Sequence, residues 1–225
     1  MAHGTRNPAG VHAVSQIVDA VRMLASDLDV RLGWIELVDP DVPAVLTDIS
    51  PDRTAVLVPL LLSSGYHDRT DLPAAIAAAR PGTAHAPVLG PDPLLAVALA
   101  DRLAEAGARP GDAVVLAGAG SSDPDAVASV HVQAELLAVE RAARTGVPAP
   151  VTVGFGSAAS PTVAEAVARA RAGGAARVAV APYLLGPGHF ADRLAEAGAD
   201  LVAGVLGPHP AVVRLILERA SSTDG

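Results

Sequence analysis

An internal repeat is the feature of this sequence that most constrains its fold. Four motifs occur twice in the same order, and the two copies of each lie roughly 120 residues apart. The pairs are AHGTRNP with GAGSSDP, GWIELVDP with GFGSAASP, VPLLLSSG with APYLLGPG, and VLGPDP with VLGPHP. Chance seldom produces four ordered matches, and this repeat is far longer than a solenoid unit. We therefore expect two similar lobes, 1–108 and 109–225.

Short apolar runs alternate with amphipathic stretches in both halves. TAVLVPLLL, DAVVLAGAG, PVTVGFG and ARVAVAPYLL are almost wholly apolar, as parallel strands are when helices cover both faces of their sheet. Each of five prolines follows a capping residue, and this pairing predicts helix starts at Pro8, Pro40, Pro93, Pro124 and Pro161. The alternation predicts an α/β fold with two duplicated, doubly wound parallel sheets.

The two copies differ before their first shared motif. In the second copy DAVVLA leads into GAGSSDP, whereas only Met1 and Ala2 precede HGTRNP in the first. Either the first lobe has lost its first strand, or the start codon assigned to the gene is too late. We expect the second explanation, because removing a central strand would leave backbone groups unpaired and an apolar seam open.

Composition and charge exclude several classes of protein. The chain has no cysteine, so any metal must be held by His, Asp or Glu. All 16 basic residues are arginine, which excludes a P-loop lysine and a Schiff-base lysine. A net charge of −8 and 2% aromatic residues argue against nucleic-acid binding. The longest apolar run is far shorter than the roughly 18 residues that span a bilayer, and we see no export signal. We expect a soluble, cytoplasmic protein that binds neither nucleic acid nor membrane.

Three possible metal ligands follow successive strands of the first half. His3 follows the position of the first strand, Glu36 ends the segment RLGWIE, and His67 follows AVLVPLLLSSGY. Because ligands collect beyond the carboxyl ends of parallel strands, we expect these side chains to converge on one rim. Two imidazoles and a carboxylate suit a divalent metal such as Fe²⁺ or Co²⁺. The second copy keeps the glycine and proline framework but has Ala119, Ser157 and Phe190 around these places.

The motifs AHGTRNP, WIELVDP and VPLLLSSGYHDRTDLP resemble the sirohydrochlorin chelatase family. These class II chelatases insert cobalt or ferrous iron into sirohydrochlorin, for cobalamin or sirohaem synthesis. The resemblance covers nearly the whole chain and implies a chelatase-like fold and the corresponding lyase activity. It also implies that His3 and His67 bind the metal with the assistance of Glu36. The divalent metal is then a substrate, and neither ATP nor an organic cofactor is needed.

The implied reaction makes two demands on the site. The tetrapyrrole loses two pyrrole protons as the metal enters, so a proton acceptor must lie beside the metal. A neutral imidazole, with an ordinary pKa of about 6.5, could serve, and so could Glu36; the sequence leaves both open. The carboxylates of the macrocycle would pair with arginines. Arg6 and Arg69 are nearest to the ligands in sequence, with Arg193 in the matching segment of the other half.

Other functions also remain open at this stage. One is a non-catalytic protein, a degenerate or truncated chelatase that holds a metal or tetrapyrrole without turnover. The other is a nucleotide-binding enzyme that uses AGAGSSDP as a phosphate loop, although the glycine spacing is poor and no acidic ribose partner follows. The physiological metal and the pathway are undecided between Co²⁺, Fe²⁺ and Ni²⁺ and between cobalamin and sirohaem. Since the duplication supplies two lobes in one chain, we expect a monomer.

Overall fold

The computed structural model describes residues 1–63 and 76–222 and divides the chain into two compact units. Unit 1 comprises Met1–Leu89 and Gly207–Gly225, and unit 2 comprises Gly90–Leu206. Helices alternate with parallel strands, as the sequence predicts. Within the described residues, no helix has the length and apolar character needed to cross a membrane.

The helices and strands follow one another in an α/β order. They are α1 (Pro8–Leu24), α2 (Val42–Thr47), β1 (Val56–Leu57), β2 (Ala84–His85), α3 (Pro93–Glu105), β3 (Ala113–Gly118), α4 (Pro124–Thr145), β4 (Val151–Phe155), α5 (Val163–Ala172), β5 (Val178–Pro182), α6 (His189–Arg193), β6 (Leu201–Val202) and α7 (Pro210–Ser221). A short 3₁₀ helix, Leu194–Glu196, follows α6.

Unit 2 is built on a four-stranded parallel sheet with the strand order β4-β3-β5-β6. Val115 and Ala117 of β3 pack in one buried cluster with Val163 and Val167 of α5. The alternate residues of β3, such as Leu116, point to the opposite face and are also fully buried. Both faces of the sheet are therefore covered, which explains why its strands read as continuous apolar runs.

Unit 1 contains a shorter parallel sheet. β1 and β2 pair through Val56 with Ala84 and Leu57 with His85. The first two residues of the chain lie beside this sheet, because the N–H of Leu60 donates to the C=O of Met1 at 2.7 Å. On its other side, Ala2 forms a parallel bridge with Trp34. Across the sheet of unit 1, the neighbouring segments therefore follow the order residue 34, residues 1–2, residues 56–60 and residues 84–85.

The boundaries of the two units differ from the contiguous lobes, 1–108 and 109–225, expected from the sequence. Helix α3 ends the first half but packs on α4 and β5 in unit 2, while α7 ends the second half and packs on α1 in unit 1. The two halves have therefore exchanged their last helices. Motif spacing could not reveal this, because it locates a helix along the chain and not the sheet on which the helix packs.

Three of the five predicted helix starts are correct. Asn7, Asp92 and Asp123 cap α1, α3 and α4, each accepting a hydrogen bond from a backbone N–H of the first turn. The predictions at Pro40 and Pro161 are wrong by two residues. In both places the chain makes a turn first, and the following Asp41 or Thr162 caps the helix.

A buried carboxylate holds the turn that leads into β3. Asp112 is 4% exposed, and its Oδ2 accepts hydrogen bonds from the N–H of Arg109 at 2.8 Å and from Nη1 of Arg177 at 3.1 Å. Nη2 of Arg141 donates to the backbone carbonyl of Asp112 at 3.2 Å. Burial of the Arg141 guanidinium lowers its pKa, although the charge of Asp112 opposes this effect. The cluster therefore joins α4 to the amino ends of β3 and β5.

Asp112→Ala is expected to lower the free energy of unfolding by about 2 kcal/mol, because the N–H of Arg109 and the partly buried guanidinium of Arg177 lose their acceptor. Asp48→Ala is the matched control. Its carboxylate pairs with Arg31 at 2.8 Å but the side chain is 83% exposed, so the expected loss is about 0.5 kcal/mol. Urea denaturation of both variants checks the difference. Equal losses would contradict a structural role for the buried carboxylate.

Candidate metal centre

A short backbone ladder brings the first candidate ligands together in unit 1. The N–H of Ile35 donates to the C=O of Ala2 at 2.8 Å, and the N–H of Glu36 donates to the C=O of His3 at 3.1 Å. His3 and Glu36 therefore leave the sheet side by side, at the carboxyl end of two neighbouring extended segments. Ligands of open α/β sheets collect at such a rim.

The side chains of these two residues are in contact. His3 Nδ1 lies 3.3 Å from Glu36 Oε1, and the side chains are 58% and 53% exposed. This separation is slightly longer than a typical hydrogen bond, and both groups remain open to solvent. An imidazole and a carboxylate in this arrangement can bind a borderline divalent cation or transfer a proton.

Gly4 makes the close approach of the two segments possible. Its φ is +105°, and a Cβ built on it would lie 1.9 Å from the carbonyl oxygen of Glu36. A side chain at this position would therefore collide with the backbone that carries Glu36. The same glycine recurs in both copies of the motif, at Gly4 and Gly120, and this recurrence is the sequence signal for the close approach.

Unit 2 reproduces this backbone with different side chains. Gly120 has a φ of +94°, and a Cβ on it would lie 1.8 Å from the carbonyl oxygen of Ser157. The N–H of Gly156 donates to the C=O of Gly118 at 3.0 Å, the bond that Ile35 and Ala2 make in unit 1. Ala119 and Ser157 stand where unit 1 has His3 and Glu36, and Ser157 Oγ donates to the carbonyl of Ala119 at 3.1 Å.

The residue of unit 2 that corresponds to His67 lies next to this rim. The repeat aligns His67 with Phe190, and the Phe190 ring is 2.3 Å from the position of a Cβ built on Gly156. Gly156 directly precedes Ser157. In unit 2 the short helix α6, which follows the third strand, therefore places the side chain of Phe190 beside the loop after the second strand.

The remaining candidates are distributed as follows. His67 and Arg69 lie outside the described residues. Arg6 is exposed in the turn before α1, three residues from His3, while Arg193 is an exposed residue at the end of α6 in unit 2. His189 is the first residue of α6. Residues 1–63 and 76–222 contain no group of three His, Asp or Glu residues positioned to hold a metal, so the described part of the centre is the pair His3 and Glu36.

The sequence is similar to those of known proteins. A model of the CbiX family matches residues 1–106 and 113–223. The sirohydrochlorin cobaltochelatase of Priestia megaterium is 26% identical over 98% of this chain and 77% of its own length. A sirohydrochlorin cobaltochelatase of Methanosarcina acetivorans is 31% identical over 32% of this chain and 58% of its own.

Solved structures share the fold. SirB from Bacillus subtilis with Fe³⁺ is similar with a TM-score of 0.80 and 23% identity, over 99% of this chain and 92% of that one. SirB in complex with cobalt is similar with a TM-score of 0.77 and 21% identity, over 99% of this chain and 92% of that one. CbiX, the terminal enzyme of sirohaem biosynthesis in denitrifying bacteria, is similar with a TM-score of 0.70 and 19% identity. The match covers 100% of this chain and 97% of that one.

The parallel sheets and the topology of this chain define an α/β protein with a chelatase-like fold. The family match covers almost the entire sequence in two segments. The chain belongs to the CbiX family, the sirohydrochlorin chelatases.

Proposed function

We propose that this protein inserts Co²⁺ or Fe²⁺ into sirohydrochlorin without ATP or an organic cofactor. The observation that carries the proposal is the contact between His3 and Glu36 at the carboxyl-end rim of unit 1. Family membership supports it, and so do the names of two relatives, which are both sirohydrochlorin cobaltochelatases. The absence of lysine from the sequence agrees with a reaction that uses no P-loop ATP site.

We propose His67 as a third ligand. Support comes from the internal repeat, because the corresponding Phe190 of unit 2 contacts the residue before Ser157. The counterpart of Gly156 in unit 1 is Ile35, the residue before Glu36, so a histidine at the place of Phe190 would lie near Glu36 but farther out, because Ile35 has a side chain there. Two imidazoles and one carboxylate leave coordination positions open, so a metal bound there can pass to the nitrogen atoms of a macrocycle.

The geometry suggests how the two described residues would share the metal. Nδ1 of His3 faces Glu36, so a divalent metal bound by both side chains would take the place of a proton shared between Nδ1 and the carboxylate. Once the metal passes to the macrocycle, either His3 or Glu36 would accept a pyrrole proton. Arg6, exposed and close in sequence to His3, would pair with a carboxylate of the tetrapyrrole, and we assign the same role to Arg69.

We also propose that the two halves, 1–108 and 109–225, arose by duplication of one unit, and that metal binding belongs to the first. The support is the equivalent backbone geometry at Gly4 and Gly120 and the two segments matched by the family model. Because one chain carries both halves, we propose that the protein acts as a monomer. Size-exclusion chromatography with light scattering tests this point.

Anaerobic mixing of the protein with sirohydrochlorin and Co²⁺ or Fe²⁺, followed by absorbance, tests the proposed reaction. We expect many turnovers per chain at a rate above that of the metal and macrocycle alone. A heat-denatured sample of the protein controls for insertion that does not require the folded chain. Spectral changes that stop at one equivalent of macrocycle per chain would contradict catalysis and support a non-catalytic binding protein.

A further inference from the structure

The loop that carries Glu36 is closed at its base by backbone hydrogen bonds. It leaves the sheet after Trp34, whose N–H donates to the C=O of Pro40 at 3.0 Å. The C=O of Trp34 accepts from the N–H of Val42, also at 3.0 Å. Because both ends of the loop are fixed in this way, the backbone of residues 35–39 has little freedom to change its conformation.

Leu37, in the middle of this loop, is held in a conformation that a leucine rarely adopts. Its φ is +68°, in the left-handed region that glycine enters readily and bulky residues avoid. The residue is also 53% exposed, so the leucine side chain gains little from burial in the fold. Strained backbone of this kind concentrates at binding and catalytic sites.

The corresponding residue of unit 2 has the same backbone and a smaller side chain. Ala158 aligns with Leu37, has a φ of +54° and is also exposed. The left-handed conformation thus belongs to the loop in both units and does not require a leucine. Unit 2 combines Ala158 with Ser157, whereas unit 1 combines Leu37 with Glu36. The large apolar side chain therefore accompanies the candidate metal ligand.

Leu37 lies beside both residues of the described centre. It directly follows Glu36 in the sequence, and its Cβ is 3.6 Å from the position of a Cβ built on Gly4. Gly4 in turn directly follows His3. A molecule that approaches a metal held by His3 and Glu36 therefore meets an exposed apolar side chain at the same edge of the sheet.

We propose that Leu37 contacts the flat apolar face of sirohydrochlorin and positions the macrocycle beside the metal. The pyrrole rings form this face, while the carboxylates lie at the periphery of the macrocycle, where arginines can pair with them. Ligand sites commonly combine apolar surface with a few polar groups that fix the orientation of the ligand. Leu37 provides apolar surface next to the polar pair. The inference rests on the proposed substrate but does not require turnover.

Equilibrium binding of sirohydrochlorin to the metal-free protein, followed by absorbance, tests this role. We expect the Kd to rise about tenfold in Leu37→Ala and Leu37→Gly, because the apolar contact is lost. Leu37→Met keeps an apolar side chain of similar volume and should bind within about twofold of the unchanged chain. Leu24→Ala is the matched control. Leu24 is 68% exposed and ends α1, about 24 Å from Pro8 at its start, so its Kd should not change.

Two further measurements separate contact with the macrocycle from a role in folding. We expect the affinity for Co²⁺, measured by calorimetry, to be unchanged in Leu37→Ala. We also expect Leu37→Gly to melt no lower than Leu37→Ala, because glycine adopts the left-handed conformation readily. Both results would show that the leucine is not needed to hold the loop.

Equal Kd values for sirohydrochlorin in the unchanged chain and Leu37→Ala would overturn the proposal, as would a failure of the unchanged chain to bind the macrocycle. A loss of Co²⁺ affinity in Leu37→Ala would overturn it as well, because the leucine would then act on the metal centre. Binding that depends on Leu37 but leads to no metal insertion would support the contact and contradict only the proposed reaction. The two failures are therefore distinguishable.

Discussion

His3→Ala is expected to lower the rate of metal insertion into sirohydrochlorin by at least about 100-fold. Loss of a residue that only orients a ligand commonly costs about 10- to 100-fold in metal affinity or activity, and His3 is proposed as a ligand itself. Its side chain is 58% exposed, so the variant should keep its fold and melting temperature. Steady-state absorbance with Co²⁺ as the varied metal measures the change.

His12→Ala is the matched control for this variant. His12 is also exposed and also belongs to unit 1, but it lies on α1 and takes no part in the proposed centre. We expect its rate to equal that of the unchanged chain. If His3→Ala retained the full rate, or if the two variants lost activity equally, the assignment of His3 as a ligand would be wrong.

Gly4→Ala is expected to lower the free energy of unfolding by about 3 kcal/mol or more and to abolish activity with it. Two effects combine at this position. The φ of +105° disfavours any side chain, and the added Cβ would lie 1.9 Å from a backbone oxygen of Glu36. Since backbone cannot move aside as a flexible side chain can, the segment that carries Glu36 must shift. Denaturant titration and the insertion assay measure the two losses.

Gly82→Ala separates the two effects of the substitution. Gly82 also belongs to unit 1 and has a φ of +82°, but a Cβ there would meet nothing within 4 Å. We expect a loss of about 1 kcal/mol from the conformation alone, with activity unchanged. If both variants lost a similar free energy of unfolding, the contact between the added Cβ and the backbone of Glu36 would not contribute to the loss.

Much of the fold is predictable from the sequence because the repeat and the apolar runs are local signals. The buried strands of unit 2 lie within the predicted segments, and three helices begin at the predicted prolines. The exchange of α3 and α7 between the units was not predictable in this way. The sequence shows that each helix has an apolar face, but it does not show which of the two sheets that face covers.

The site was predictable to a similar extent. The contact between His3 and Glu36 follows from the rule that carboxyl ends of parallel strands meet at one edge. The role of Gly4 could not be predicted from the sequence. A glycine can serve many purposes, and only the structure shows that the backbone of Glu36 lies too close for a side chain here. The buried cluster around Asp112 was missed for a related reason, since the charged residues of a loop give no sign of burial.

We propose a single metal centre in unit 1, formed by His3, Glu36 and His67. Anaerobic calorimetric titration with Co²⁺ of the unchanged protein, His3→Ala and His12→Ala tests this proposal. We expect one Co²⁺ per chain, with an affinity that falls at least about tenfold in His3→Ala and is unchanged in His12→Ala. Two equivalent Co²⁺ ions per chain, or a binding curve that His3→Ala leaves unaltered, would contradict it.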